Sequence, residues 1–192
     1  MKNEVTLNIK CCELDKSRWN DFEKLFGERG ACGGCWCMAW RLKPKDFEML
    51  KGAGNKRAMR KIISNNETPG IIAYLNDNPV GWCAVAPREK YIRLANSKVL
   101  AKIDDKPVWS ITCFFIAKQY RKMGISVELL KGVIKICKKK KVKILEAYPV
   151  EPYSKNIPAA FAWTGIPSAF EKTGFEVAER RSPKRPIMRY YL

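Results

Sequence analysis

One segment constrains the fold of this chain more than any other: an apolar strand that runs through a basic turn into an amphipathic helix. Residues Val108 to Ile116 are nearly all β-branched or aromatic, which is typical of a strand buried on both faces of a sheet. Apolar residues then recur at helical spacing, namely Leu129, Leu130, Val133, Ile134 and Cys137. A buried strand that leads into such a helix predicts an α/β fold.

The remaining pattern predicts a mixed sheet with helices on its faces. The chain of 192 residues shows no repeat, linker or change of composition, so we expect one domain over residues 1–192. Helical spacing predicts helices at 15–26, 55–63 and 167–173, and a short helix within 88–97. Strands are predicted at 5–11, 142–150, 175–179 and 187–192, and a hairpin at 71–85 with its turn at 76–78.

The charge of the chain favours anionic partners. Lys and Arg total 37 against 19 Asp and Glu, and this net charge of +18 suits nucleic acid, an anionic membrane face or a phosphate-rich cofactor.

No apolar stretch is long enough to cross a bilayer, and the first residues lack the apolar run of a signal peptide, so we expect a cytoplasmic protein. The chain has no His, so acid–base chemistry must use carboxylates, thiols, phenols, amides or water.

The eight cysteines are interpreted as free thiols, because the chain carries no export signal. The run from Cys32 through Cys35 to Cys37 has the spacing of metal ligands, but no second CxxC pair accompanies it. A buried or site-lining loop is therefore favoured over structural zinc, and no metal is expected. The other cysteines lie in or beside apolar segments and act as small hydrophobic residues: Cys11, Cys12, Cys83, Cys113 and Cys137.

The turn between the strand and the helix predicts a phosphate site. A helix start leaves N–H groups unpaired and carries partial positive charge, and Arg121 and Lys122 add full charges. Gly124 has no Cβ, so a phosphate can approach the main chain closely. The turn is neither a P-loop nor a GxGxxG motif. An ordinary strand–helix turn with surface charges is the alternative that the residues leave open.

The same turn resembles a known family motif. Arg121-x-x-Gly124-x-Ser126 is similar to the R/Q-x-x-G-x-G/A acyl-CoA pyrophosphate loop of the GNAT acetyltransferase superfamily, with Ser as its last residue. Four parts of the chain resemble successive elements of that family: the hairpin at 71–85, and residues 108–116, 129–137 and 169–175. The resemblance covers residues 70–192 well and the first 70 loosely. It implies a mixed, mostly antiparallel central sheet with splayed parallel strands 4 and 5 and helices on both faces.

The resemblance also implies that acetyl-CoA, as co-substrate, binds in the opening between strands 4 and 5. The exposed backbone of Phe114, Phe115 and Ile116 would pair with its pantetheine arm, because splayed strands leave ladder groups unpaired. The pyrophosphate would be held beside Arg121 by the amides of the turn, which belong to Lys122, Met123, Gly124, Ile125 and Ser126.

The implied chemistry is direct attack of an amine on the acetyl thioester, with a strand amide stabilising the oxyanion. Glu146 is the predicted base, since it lies on strand 5 beside the expected acetyl position, and a structural role is the alternative. Phe170 stands where many family members have an acidic Tyr, so Tyr148 is the substitute candidate, with water as the alternative. Cys113 could form an acetyl thioester, but a packed core thiol is favoured.

The loop that contains Trp36, Cys37, Trp40 and Arg41 falls where the family's acceptor-binding wall lies. These residues would shape a pocket for a mostly apolar acceptor that carries a carboxylate or phosphate. The alternative is that the two tryptophans are ordinary core anchors.

The leading interpretation is an acetyl-CoA-dependent N-acetyltransferase that acts on a primary amine of a small molecule, and with less support on a protein or peptide terminus. It involves neither nucleic acid nor membrane, and it leaves a homodimer open. The lysine run at 138–143 is interpreted as a solvated helix end rather than a phosphate track. Two other interpretations are kept: a catalytically idle basic scaffold that binds nucleic acid, and a thiol-metal regulatory protein that uses Cys32, Cys35 and Cys37.

Overall fold

A seven-stranded sheet organises the chain in the computed structural model, which describes residues 8–152 and 162–192. The strands, numbered in chain order, are β1 (Ile9–Glu13), β2 (Gly70–Leu75), β3 (Asn78–Pro87), β4 (Trp109–Ile116), β5 (Ile144–Ala147), β6 (Glu176–Glu179) and β7 (Ile187–Tyr191). Their order in the sheet is β1-β2-β3-β4-β5-β7-β6. Neighbouring strands are antiparallel except β4 and β5, which are parallel.

Helices cover both faces of the sheet. They are α1 (Trp19–Phe26), α2 (Pro44–Met49), α3 (Ala53–Ser64), α4 (Ile92–Ala95), α5 (Ile125–Lys139) and α6 (Pro167–Glu171). The alternation of strand side chains separates two cores. Ile71 and Ala73 of β2 pack on the α5 side, whereas Ile72 and Tyr74 pack on the side of α1 and α3. None of these helices is long and apolar enough to cross a membrane.

A bulge in β4 changes the direction of its side chains. Two neighbouring residues of β3 pair with Ile111 and Cys113, so Thr112 is an extra residue on β4. As a result Ile111 and Phe114 both belong to the core on the α5 side, while Cys113 belongs to the core on the α1 side. The bulge therefore places a thiol on the face of the sheet that carries α1.

The parallel strands β4 and β5 pair over only three residues and then separate. Their last pair is Ile111 with Ala147, but β4 continues to Ile116. A parallel pair that ends early leaves the facing N–H and C=O groups of the longer strand free for other partners. This opening is the one that the resemblance implied.

The predicted fold class is confirmed: a mixed, mostly antiparallel sheet with parallel β4 and β5 and helices on both faces. The first strand lies at Ile9–Glu13 rather than at 5–11, and residues 5–7 lie outside the described part. The prediction at 142–150 was too long, because β5 ends at Ala147. Helix α2 was not predicted. It has one buried residue, Phe47, so it shows no apolar period.

Candidate active site

A cavity of about 530 Å³ lies where β4 and β5 separate. Its walls come from the end of α1, the loop between α1 and α2, β4, the first two turns of α5, residues 162–166 and α6. Most of the lining is apolar. Among the described residues, the lining ionisable groups are the Arg121 guanidinium and four thiols, those of Cys32, Cys35, Cys37 and Cys113. The carboxylates of the described chain lie elsewhere.

The start of α5 offers unpaired backbone donors next to this cavity. Gly124 is the N-cap residue with φ 80°, and a Cβ added to it would meet no atom within 4 Å. None of the N–H groups from Lys122 to Ser126 donates a hydrogen bond within the described chain. Arg121 donates from Nε to the carbonyl of Ile116 at 2.9 Å, which leaves its two Nη groups for a ligand. Unpaired amides at the positive end of a helix form an anion-binding geometry.

The predicted cofactor residues divide into two groups. Phe114, Phe115, Ile116, Arg121 and Ser126 line the cavity. The other four predicted residues belong to the turn beside it, namely Lys122, Met123, Gly124 and Ile125, and the Ile125 side chain is buried in the core. The backbone amides of this second group are the part that the prediction invoked.

The chain itself occupies part of the opening between β4 and β5. The N–H of Phe114 donates to the carbonyl of Trp163 at 2.6 Å, and the N–H of Val150 donates to the carbonyl of Gly165 at 3.0 Å. Trp163 also lies against Trp40, with ring centroids 5.8 Å apart. A ligand that pairs with the Phe114 amide must therefore displace the Trp163 carbonyl.

The structure places Glu146 and Tyr148 in a buried ion-pair network, away from the residues that line the cavity. One oxygen of Glu146 accepts from Arg88 Nη1 at 3.0 Å and from the Tyr148 hydroxyl at 2.7 Å. The other oxygen accepts from Arg189 Nε at 2.8 Å. Burial, with the Glu146 charge next in importance, raises the pKa of Tyr148 well above its usual value.

This network disfavours the two predicted catalytic roles. Both carboxylate oxygens of Glu146 are already bound to cations or a phenol, so this group has no contact with an incoming amine. Because burial holds the proton on Tyr148, this phenol is a poor acid for the coenzyme A thiolate. The roles of base and acid stay predictions, and the geometry favours a structural role for both residues.

The predicted acceptor residues also divide. Cys37 and Trp40 line the cavity, but Trp36 and Arg41 do not. Trp36 is buried and stacks on Phe26 with 5.7 Å between ring centroids and an interplanar angle of 18°. Arg41 is buried and donates to the carbonyl of Pro69 at 3.2 Å and to the Tyr91 hydroxyl at 3.4 Å. Neither side chain is placed to touch an acceptor in the cavity.

Comparison with known proteins identifies the family. The model of the Acetyltransferase (GNAT) family matches residues 36–160, which include β2 to β5 and α5. The chain belongs to the GNAT acetyltransferase family. No curated protein matches the sequence with significance.

Solved structures share the GNAT fold over nearly the whole chain. The PaiA N-acetyltransferase of Thermoplasma acidophilum in complex with coenzyme A is 17% identical, with a TM-score of 0.55 over 97% of this chain and 100% of that one. Ribosomal-protein-alanine N-acetyltransferase of Brucella melitensis is 14% identical, with a TM-score of 0.55 over 95% and 99%. Arabidopsis thaliana Naa50 with the bisubstrate analogue CoA-Ac-MVNAL is 15% identical, with a TM-score of 0.50 over 97% and 100%. At these identities the likeness concerns the fold.

Two features of this GNAT site escaped sequence reasoning. The placement of Cys113 in the same core and cavity wall as Cys37 depends on the β4 bulge. The position of Trp163 depends on a segment without a regular period. The Cys35-Trp36-Cys37 run was the sequence signal that could have indicated the placement of these cysteines. In residues 8–152 and 162–192, no three Cys, Asp or Glu side chains converge as a group that could hold a metal ion.

Proposed function

We propose that this chain is an acetyl-CoA-dependent N-acetyltransferase that acetylates a primary amine of a small molecule, with residues 1–192 acting as one catalytic domain. The observation that carries the proposal is the row of unpaired amides from Lys122 to Ser126 beside a cavity at the opening between β4 and β5. Family membership and the coenzyme A complexes among the structural neighbours support it.

The proposed pose follows from where the free donors lie. The turn amides and Arg121 bind the diphosphate, and the pantetheine arm extends along β4 past Phe115. Alternate residues of a strand direct their N–H groups to the same side. Ile116 therefore faces the opening as Phe114 does, and either amide can stabilise the oxyanion. The acetyl group then lies in the cavity near Cys113.

The cavity walls indicate the kind of acceptor. Aromatic and thiol groups such as Trp40 and Cys37 suit an amine with an apolar body, which enters in its neutral form because no carboxylate is present in the described lining. Attack of this amine on the acetyl thioester would then release its proton to water, since Glu146 is held by Arg88 and Arg189.

An acceptor screen tests the proposal. Release of free coenzyme A is measured with a panel of apolar primary amines and, in parallel, with short peptides that have free N-termini. We expect turnover with small amines, and replacement of Trp40 by Ala should raise the acceptor KM without changing the acetyl-CoA KM. Replacement of the exposed Met49 by Ala is the control. Turnover with peptides alone would refute the small-molecule acceptor, and no turnover with either panel would refute the activity.

A further inference from the structure

Two thiols in the cavity wall form a pair that the reaction proposed so far does not use. We call Cys37 and Cys113 the thiol pair. The sulphur of Cys37 accepts a hydrogen bond from the indole N–H of Trp82 at 3.1 Å. The Cys113 thiol belongs to the same core and cavity wall and donates to the carbonyl of Phe114 at 3.9 Å. A buried N–H donor directed at a sulphur favours its deprotonated form.

A buried cation strengthens this preference. Arg41 is 7% exposed, and the groups that accept from it are a carbonyl and a phenol, both neutral. Within the described chain no carboxylate forms an ion pair with Arg41, so a thiolate is the negative charge that can compensate it. The neighbouring Cys113 thiol, the N–H of Trp82 and the Arg41 charge together lower the pKa of Cys37 against the effect of burial.

The backbone also fixes Cys37 in an uncommon conformation. Trp36 and Cys37 have φ values of 42° and 60°, a left-handed conformation that is strained for non-glycine residues. The ring of Trp36 is held against Phe26 and lies over Gly30, where an added Cβ would be only 2.3 Å from the indole nitrogen. This packing maintains the strained turn that presents the Cys37 sulphur to Trp82 and to the cavity.

The other two thiols of the cavity lack this combination. Cys32 is exposed, and burial raises the pKa of Cys35. The neighbouring Cys37 and burial raise the pKa of Cys113 well above its usual value. Cys37 is therefore the nucleophile of the cavity, and it lies beside β4, along which the acetyl thioester is proposed to extend.

We propose that Cys37 takes the acetyl group from acetyl-CoA before the amine receives it, a step that rests on the proposed function. The Cys37 thiolate attacks the acetyl carbonyl carbon and forms a new carbon–sulphur bond. The bond between that carbon and the coenzyme A sulphur breaks, and coenzyme A leaves as a thiolate with the electron pair. The amine then attacks acetyl-Cys37, its nitrogen forms the amide, its proton goes to water, and the Cys37 thiolate returns.

This route fits the groups that are present. Exchange of one thiolate for another needs no proton transfer, and the described lining of the cavity contains thiols but no carboxylate. The first half-reaction therefore proceeds without a base. The amine is needed only in the second half, so the two substrates react in separate steps.

Intact-mass spectrometry tests the step. The protein is mixed with acetyl-CoA without an acceptor and quenched in acid. We expect a mass increase of one acetyl group, located at Cys37 by peptide mapping, and an equivalent burst of free coenzyme A. Cys37→Ala should lose the adduct, the burst and turnover by a factor on the order of 10² or more. Cys12→Ala, at a half-buried thiol of β1 outside the cavity, should keep all three.

Binding measurements separate this step from the proposed function. Calorimetric titration of coenzyme A, which has no acetyl group to transfer, into the wild type and Cys37→Ala should give similar affinities. Circular dichroism checks that the variant is folded. Cys37→Ser, which keeps the size of the side chain, serves if the Ala variant does not fold and should lose the acetyl thioester. If the wild type binds acetyl-CoA and acetylates amines without an adduct, and if the variant turns over equally fast, direct transfer holds and the relay is refuted. If the wild type does not bind acetyl-CoA, both proposals are refuted.

Discussion

Replacing Glu146 by Gln tests whether this residue holds the fold together or takes a proton. The substitution keeps the shape of the side chain but removes the negative charge between Arg88 and Arg189, whose side chains are 9% and 3% exposed. Removing one partner of a buried ion pair costs about 3–5 kcal/mol. Asp104 still binds Arg189 at 2.7 Å, so the lower end, about 3 kcal/mol, is expected. A domain of this size loses about 2–4 °C of Tm per kcal/mol, so Tm should fall by about 6–12 °C.

Thermal unfolding followed by circular dichroism measures this loss, with Glu128→Gln as the matched control. Glu128 pairs with Lys131 at 2.8 Å on the exposed side of α5, and such a pair contributes at most about 1 kcal/mol. At a temperature where both variants are folded, Glu146→Gln should keep kcat within a few-fold of the wild type. An unchanged Tm together with a loss of about 10²-fold or more in kcat would refute the structural role and restore the general base.

Two further changes address ligand binding and alkaline stability. Arg121→Ala removes charge-assisted bonds to the diphosphate that contribute about 1.5–3 kcal/mol. The Kd for acetyl-CoA, measured by calorimetry, should therefore rise about 10- to 150-fold. Replacement of the exposed Lys131 by Ala is the control and should leave this Kd unchanged. Equal affinities would contradict the binding pose. Burial raises the pKa of the Cys137 thiol from 9.0 to about 12, so the unfolded state loses this proton at a lower pH than the folded state. Between pH 9 and 12 the free energy of unfolding therefore falls by about 1.4 kcal/mol per pH unit. Urea unfolding should show a smaller slope for Cys137→Val but not for Cys32→Val, and equal slopes would refute the effect.

The parts of the fold that depend on local pattern could be predicted from the sequence. The apolar strand before Ile116 and the period of α5 are local signals, and Gly124 at the helix start has the positive φ that the turn requires. The bulge at Thr112 could not be predicted, because it arises from the register between β3 and β4 rather than from the β4 sequence.

The candidate site was predicted less completely, because its contacts come from distant positions. The partners that bind Glu146 are Arg88 and Arg189, which lie 58 and 43 residues away along the chain. In the acceptor loop, two successive left-handed residues change the direction of the side chains that follow. Cys37 and Trp40 consequently line the cavity, while Trp36 lies in the core. No periodicity in the sequence encodes that change.

The most direct test of the acetyl-CoA site is calorimetric titration of acetyl-CoA into the wild type and Gly124→Val. Gly124 and Gly52 are both N-cap glycines, with φ of 80° and 82°, and an added Cβ would meet no atom at either position. Gly52→Val therefore reproduces the backbone strain away from the cavity. We expect the wild type and Gly52→Val to bind acetyl-CoA and Gly124→Val to lose binding. Equal affinity in all three proteins, or no binding by the wild type, would contradict a diphosphate site at the start of α5.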